Sequence, residues 1–232
     1  MARTIAIVED DEAIRDNYKE AFTRQGYRVN TYSNRSEAMA QFRSRLPDLV
    51  VLDIALEDDV DAGFEMCREL RTTSQALPII FLTARDSDFD AIAGLRLGAD
   101  DYLTKDTSIP QTLARISTLF RRVEALTSAE NAQEVHQVGD LQIDVDRVQV
   151  RWKSVALELT LTEFWIVYAL AKRPGHVKTR DQLMDDAKIF VDDTTITSHI
   201  KRIRKKFKVI DNNFDSIETV YGMGYRWLTA TN

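Results

Sequence analysis

Apolar and polar positions along the first 125 residues switch repeatedly between two periods. Short apolar runs at Ile5–Val8, Val29–Tyr32, Leu49–Leu52, Ile79–Leu82 and Tyr102–Thr104 have the length of strands. Between and after them, residues 13–25, 36–45, 64–71, 87–97 and 110–124 carry apolar side chains at helical spacing. Gly26 and Gly98 stand where helix C-caps are expected, and Ser36 and Ser108 suit N-caps. Strands and helices alternating in this way predict an open parallel sheet wrapped by helices on both faces.

The texture then changes. "ALTSAENAQEVHQ", residues 125–137, is polar and non-periodic, and it reads as a linker between a domain over 1–124 and a second over 138–232. Strands are predicted at 141–145, 147–152 and 155–159, helices at 162–172, 180–187 and 194–208, and "IETVYGMGYRWL" predicts a glycine-turned hairpin. Trp165 and Tyr168 fall on the apolar helix "LTLTEFWIVYALAKRPG" and read as packing, not as a base-stacking surface.

Composition adds bounds. A chain of 232 residues, 44% hydrophobic and 29% charged, has the make-up of a soluble globular protein of one or two domains, each long enough to bury a core. No run approaches ~18 consecutive apolar residues, so no membrane span is expected. Met1-Ala2-Arg3-Thr4 leads directly into a strand and not into a signal-peptide core, so a cytoplasmic protein is expected. Cys67 is the only cysteine, which excludes an intrachain disulfide and a thiolate zinc cluster, and His136, His176 and His199 are too scattered for a metal-ligand pattern.

Charge is unevenly shared. Residues 1–125 carry 16 Lys+Arg against 22 Asp+Glu, and residues 126–232 carry 15 against 15. Within the neutral half, "HIKRIRKKFK" at 199–208 holds six basic residues and no acid. This local asymmetry points to nucleic acid despite the net charge of −6 for the whole chain.

In a parallel sheet with right-handed crossovers, the strand C-termini share one edge, where ligands bind. Glu9 and Asp10 follow the first strand, Asp53 the third, Thr83 the fourth and Lys105 the fifth, so all five fall on one rim. Each pair of like charges at about 4 Å costs on the order of 4 kcal/mol at an effective dielectric of about 20, so crowded carboxylates call for a cation. All-oxygen ligands favour magnesium. Such an ion beside a carboxylate, a lysine and a hydroxyl suits in-line phosphoryl transfer onto the carboxylate. The plainer alternative is that Glu9 and Asp10 cap the first helix. The stretch "VVLDIALEDDVDAGF" adds Glu57, Asp58, Asp59 and Asp61 behind Asp53; their order is not that of a calcium loop, and they are expected to form a lengthened, solvated turn.

"IVEDDEAIR", "LPDLVVLDIAL", "IIFLTAR" and "GADDYLTKD" resemble the receiver domain of two-component response regulators, and the C-terminal half is similar to the winged-helix domain of the OmpR/PhoB class. The resemblance implies a flavodoxin-like α/β receiver with a five-stranded parallel sheet, followed by an α+β winged helix-turn-helix domain. It implies that Asp53 accepts a phosphoryl group from a sensor histidine kinase. Glu9, Asp10, Asp53 and the Ala55 backbone carbonyl would bind Mg2+, Thr83 would hydrogen-bond the phosphoryl group, Lys105 would pair with it, and Tyr102 would turn inward on activation. The chain departs from the pattern at Glu57, where relatives have Pro, and by two extra residues before Gly63. The extra acids are expected either to slow phosphoryl donors or to tighten metal binding. Asp106 follows Lys105 where relatives have a cis-Pro. A non-proline cis bond costs ~2.5–4 kcal/mol, so this bond is expected to be trans, or cis only under strained packing.

In the basic helix, Ile196, Ile200, Ile203 and Phe207 form one apolar stripe, with Thr194, Ser198, Lys201, Arg202 and Lys205 opposite. A basic outer face followed by a hairpin carrying Arg226 suits major-groove docking. Arg202 is expected to reach a guanine edge, Thr197 and Ser198 to allow close approach, and Lys201, Arg204 and Lys205 to meet phosphates. Thr194 and Tyr221 stand where relatives have Arg, so a shallow salt dependence and binding as a homodimer to repeated half-sites of double-stranded DNA are expected. The family's active dimer implies Asp100, Asp101, Arg115 and Arg122 as ion-pair residues, although Ala91 and Gln111 replace one familiar pair.

Together these point to a phosphorylation-switched transcription regulator, with RNA polymerase as a further partner and no enzyme activity beyond self-phosphorylation and autodephosphorylation at Asp53. "TIAIVEDD", "TARDSDFD" and "YLTKD" further resemble a regulator branch associated with dedicated sortase systems in Gram-negative bacteria. Two alternatives are a receiver that acts as a phosphorylation-independent dimer, and an aspartate-nucleophile phosphohydrolase. Against the latter, Ala55 stands where such enzymes have an acid/base carboxylate.

Overall fold

A computed structural model describes residues 2–57, 59–84, 94, 97–127, 135–145, 147–186 and 193–228. The chain divides into two compact units, Met1–Ser117 and Thr118–Asn232.

In the first unit the strands β1 (Thr4–Val8), β2 (Arg28–Tyr32), β3 (Leu49–Leu52), β4 (Ile79–Thr83) and β5 (Asp101–Thr104) form one parallel sheet in the order β2-β1-β3-β4-β5. The central strands β3 and β4 are buried at every position, as a sheet covered on both faces requires. Helices α1 (Glu12–Arg24), α2 (Arg35–Phe42) and α3 (Ala62–Thr73) follow the first three strands. Helix α1 starts at Asp11, whose side chain accepts the Ile14 N–H at 3.0 Å, and Gly26 beyond its end takes φ +88°, a left-handed conformation that suits glycine. Helix α2 starts at Asn34, which accepts the Glu37 N–H at 2.9 Å; Ser36 lies inside the helix and not at its cap. The expected helix at 87–97, with Ala91 in it, lies outside the described residues apart from Gly94 and Leu97.

Helix α4 (Ile109–Thr127) contains the division between the two units, and Ser108 stands at its start with Gln111 accepting from the Ser108 N–H. The stretch 125–137 is partly built. Helix α4 runs three residues into it, and β6 (Val135–Val138) begins before its end.

In the second unit β6, β7 (Leu141–Asp144), β8 (Gln149–Trp152) and β9 (Val155–Leu157) make an antiparallel sheet in chain order. Lys153 and Ser154, both at positive φ, close the β8–β9 hairpin, as a two-residue primed turn demands. Helices α5 (Leu161–Ala171), α6 (Arg180–Asp186) and α7 (Asp193–Ile210) follow, and β10 (Ile217–Val220) pairs antiparallel with β11 (Gly224–Trp227). Ile196, Ile200, Ile203 and Phe207 of α7 are buried, as their spacing requires. Phe207 stacks on Phe214 at 4.2 Å, and Trp152 and Trp227 close the cluster edge-on. Gly224 is required where it stands: a Cβ there would lie 2.0 Å from the Lys178 carbonyl oxygen, to which the Tyr225 N–H donates at 2.9 Å.

Candidate functional site

The sheet delivers its ionisable side chains to one rim. The Asp53 N–H donates to the Val8 carbonyl at 3.0 Å, and the Lys105 N–H donates to the Thr83 carbonyl at 2.8 Å, so main-chain bonds between adjacent strand ends set the spacing. The Lys105 ammonium then reaches Asp53 Oδ2 at 2.6 Å and Glu9 Oε1 at 2.8 Å. Asp53 Oδ1 accepts the Ile54 N–H at 2.6 Å. Gly63 lies against this backbone so tightly that a Cβ would come within 2.1 Å of the Asp53 carbonyl oxygen.

Glu9, Asp10 and Asp53 each offer a carboxylate oxygen within 4.8 Å of the others. Glu9 and Asp53 are buried and Asp10 is exposed. Burial pushes the Glu9 carboxyl up to about 7, opposed by the hydrogen bond from Lys105 and reinforced by the negative charge of Asp53. One ammonium therefore does not fully compensate this cluster, and a hard divalent cation suits the all-oxygen donor set. Helix capping is not the role of this pair: Asp11 is the cap, and at the start of α1 Glu9 and Asp10 accept the N–H of Asp11 and not those of the helix's first turn.

Thr83 is buried at the end of β4, on the rim. Tyr102 is half-buried with its ring 6.3 Å from that of Phe81. The Lys105–Asp106 bond is trans. The described acids after Asp53, Glu57, Asp59 and Asp61, are exposed on a turn, as expected, and main-chain bonds fix it. Leu56 and Asp59 exchange both main-chain hydrogen bonds at 3.1 Å, and the Glu57 N–H donates to Asp10 Oδ2 at 3.0 Å. Asp58 lies outside the described residues.

Of the expected dimer residues, Asp100 is buried and pairs at 2.8 Å with Arg71 inside its own unit. It also accepts the Ile79 N–H, so it is a core anchor and not an interface charge. Asp101 is buried within 3.8 Å of Arg115, so that pair too is internal. The Arg122 side chain lies outside the described residues.

The basic helix divides differently from its wheel. Arg202, expected at a guanine edge, instead turns inward, where its guanidinium meets the buried Glu163 carboxylate and His199 Nδ1. Lys206 meets the other Glu163 oxygen at 2.7 Å. Burial raises the Glu163 carboxyl, but the attraction of Arg202 and Lys206 outweighs it and holds the group at about 2. Arg204 donates to the Ile217 carbonyl at 2.7 and 3.1 Å and to Thr219 Oγ1 at 2.8 Å, so it ties α7 to the hairpin instead of facing phosphates. Arg226 pairs with Glu218 across the hairpin.

Lys201 and Lys205 remain exposed, as does Thr197, whose Oγ1 lies 3.2 Å from Tyr225 Oη; Ser198 is half-buried. Tyr221 is 94% exposed at the hairpin tip. The Thr194 side chain lies outside the described residues. Sequence reasoning passed over Glu163. Its signal was the Thr-x-x-Glu box at Thr160, which the structure forms, and its isolation as the one acid of an apolar helix.

Residues 5–117 match the response regulator receiver domain family, and residues 154–227 match the family of the transcriptional regulatory protein C terminus. The transcriptional regulatory protein CreB of Escherichia coli (strain K12) is 36% identical over 225 residues, covering 96% of each chain. The alkaline phosphatase synthesis transcriptional regulatory protein PhoP of Bacillus subtilis (strain 168) is 38% identical over 237 residues, covering 97% of each. The solved structure of the response regulator DrrB, a Thermotoga maritima OmpR/PhoB homolog, is 31% identical with a TM-score of 0.53, covering 98% of this chain and all of that one.

Proposed function

Because the chain belongs to the OmpR/PhoB family of response regulators, we propose that Asp53 is the phosphoryl acceptor through which a sensor histidine kinase controls its binding to DNA. The protein is a phosphorylation-dependent transcription regulator of a two-component system, and its relatives are regulators, not enzymes. One observation carries the assignment of the site: Lys105 bridges Asp53 and Glu9 beside Asp10, at the strand ends of the sheet.

An Asp53 oxygen attacks phosphorus, the new O–P bond forms and the P–N bond to the donor histidine breaks. The Lys105 ammonium neutralises the oxygens of the transferred group, and the Thr83 hydroxyl donates a hydrogen bond to one of them. Glu9, Asp10, Asp53 and the Ala55 carbonyl would hold Mg2+, which when bound supplies positive charge to the phosphoryl oxygens. Phosphorylation adds about −1.5 to −2 charge, enough to bias Tyr102 inward and the receiver toward a homodimer. Lys201 and Lys205 then meet phosphates, with Thr197, Ser198 and Tyr221 nearest the duplex, on repeated half-sites and within reach of RNA polymerase.

No helix among the described residues is long and apolar enough to cross a membrane. A DNA partner and a kinase partner support a cytoplasmic location. The narrower likeness to regulators of dedicated sortase systems rests on the quoted motifs alone.

The test is to incubate the full chain with magnesium and acetyl phosphate, beside Asp53→Ala, and to record intact mass. The wild type gains one acid-stable, base-labile phosphoryl group and the variant none. Absence of that gain in the wild type overturns the assignment, and continuous phosphate release over many turnovers replaces it with a phosphohydrolase.

A further inference from the structure

The lengthened loop after Asp53 is held by main-chain bonds. Leu56 is buried, and its main-chain N–H and C=O both pair with Asp59, so that Glu57 stands in a tight turn between them. Glu57 sits at φ +56°, a left-handed conformation that primed hairpin turns require at this position and that a side chain adopts only at a cost. The far side of the turn is fixed as well. Asp59 Oδ1 accepts the Asp61 N–H at 3.0 Å, and the Gly63 N–H donates to the Ile54 carbonyl at 2.8 Å. What the strained residue accomplishes is one contact: its N–H points at Asp10 Oδ2, 3.0 Å away and 47 residues distant in sequence.

Asp10 is the member of the carboxylate cluster that most needs such a contact. Glu9 and Asp53 are buried and both bound to Lys105, whereas Asp10 is exposed and Lys105 makes no hydrogen bond to it among those of the described residues. A free carboxylate loses rotamer entropy when a metal fixes it. Here Oδ1 accepts the Asp11 N–H at 3.1 Å and Oδ2 accepts that of Glu57, so both oxygens are already oriented. Each carboxylate oxygen has two lone-pair sites, so these bonds leave capacity for a cation.

We propose that the acidic turn serves the site through its main chain, with the Glu57 N–H as the positioning group that holds Asp10 in readiness for magnesium. The turn's negative charge is then incidental to this task. The inference rests on the reading of Glu9, Asp10 and Asp53 as the magnesium site.

The test is calorimetric titration of Mg2+ into the full chain and into Glu57→Gly, Glu57→Gln and Glu57→Pro. Glycine keeps the N–H and tolerates the left-handed backbone, and glutamine keeps both but removes the charge, so both variants bind Mg2+ within about twofold of wild type. Proline has no N–H and a fixed negative φ, and its affinity falls about fivefold or more, the worth of one hydrogen bond. Equal affinity in a folded Glu57→Pro overturns the inference, as does an equal loss in Glu57→Gln. Absence of Mg2+ binding in the wild type overturns instead the reading of the site on which it rests.

Amide hydrogen exchange gives a second readout on chains whose fold is not at risk. The Glu57 amide exchanges more slowly in the wild type than in Asp10→Ala, and it stays slow when Mg2+ is added. Identical exchange in the two proteins contradicts the positioning role.

Discussion

Lys105 and Asp53, 52 residues apart in sequence, meet at 2.6 Å, and the same ammonium reaches Glu9 at 2.8 Å. This single cation holds two buried carboxylates together, and in doing so it competes for them with any metal.

Lys105→Met is therefore expected to separate two properties. Removal of the competing cation raises Mg2+ affinity severalfold, read by titration. Transfer from acetyl phosphate to Asp53 slows by about tenfold or more, read by intact mass against time, because the ammonium no longer neutralises the moving group.

Asp100 and Arg71 provide a stability prediction. Asp100→Ala leaves the buried guanidinium without its carboxylate and costs ~3–5 kcal/mol, seen as a lowered urea midpoint. Asp100→Asn keeps an oxygen for the Ile79 N–H and loses less. Neither effect depends on protein concentration, as it would if Asp100 acted across a dimer.

Glu163 gives the second unit a pH-dependent contribution to stability. Its carboxyl is held at about 2 against an ordinary 4.5, a lowered value, so its contribution is fully present above pH 4.5 and is lost as pH falls through about 2. By linkage the contribution is on the order of 3 kcal/mol. The unfolding free-energy difference between wild type and Glu163→Gln is accordingly largest near neutral pH and shrinks progressively below pH 4.5.

The basic residues of α7 are expected to fall into two groups. Lys201→Ala and Lys205→Ala leave stability within about 0.5 kcal/mol and each lower the salt slope of DNA binding by about 0.9. Arg202→Ala instead removes a partner of the buried Glu163 and costs about 3 kcal/mol or more in stability. Denaturant melts beside binding isotherms at several salt concentrations distinguish the two.

The receiver sheet and its rim were legible because local pattern and topology agree there. Apolar runs such as Leu-Val-Val-Leu admit few alternatives to a covered strand, and right-handed crossovers then bring Glu9, Asp10, Asp53, Thr83 and Lys105 together. What escaped was decided by partners distant in sequence. Arg202 lies on the outer side of its wheel, yet Glu163 of another helix draws it inward. Asp100 reads as a surface acid until Arg71 is found 29 residues upstream. Strand β6 escaped because only His136 and Val138 are even half-buried, which leaves almost no apolar alternation to detect. The acidic turn was expected as a solvated turn, but its contact to Asp10 was not, since its organising contacts are main-chain bonds that no side-chain pattern reports.

Control of DNA binding by phosphorylation of Asp53 is open to a test on one duplex selected from a randomised library by the full chain. Affinity for that duplex is measured with and without acetyl phosphate and Mg2+, for wild type and Asp53→Ala, with oligomer size recorded in parallel. The phosphodonor is expected to tighten binding and raise oligomer size in the wild type alone. Equal affinity with and without the donor, in a wild-type protein that mass spectrometry shows to be phosphorylated, would contradict it.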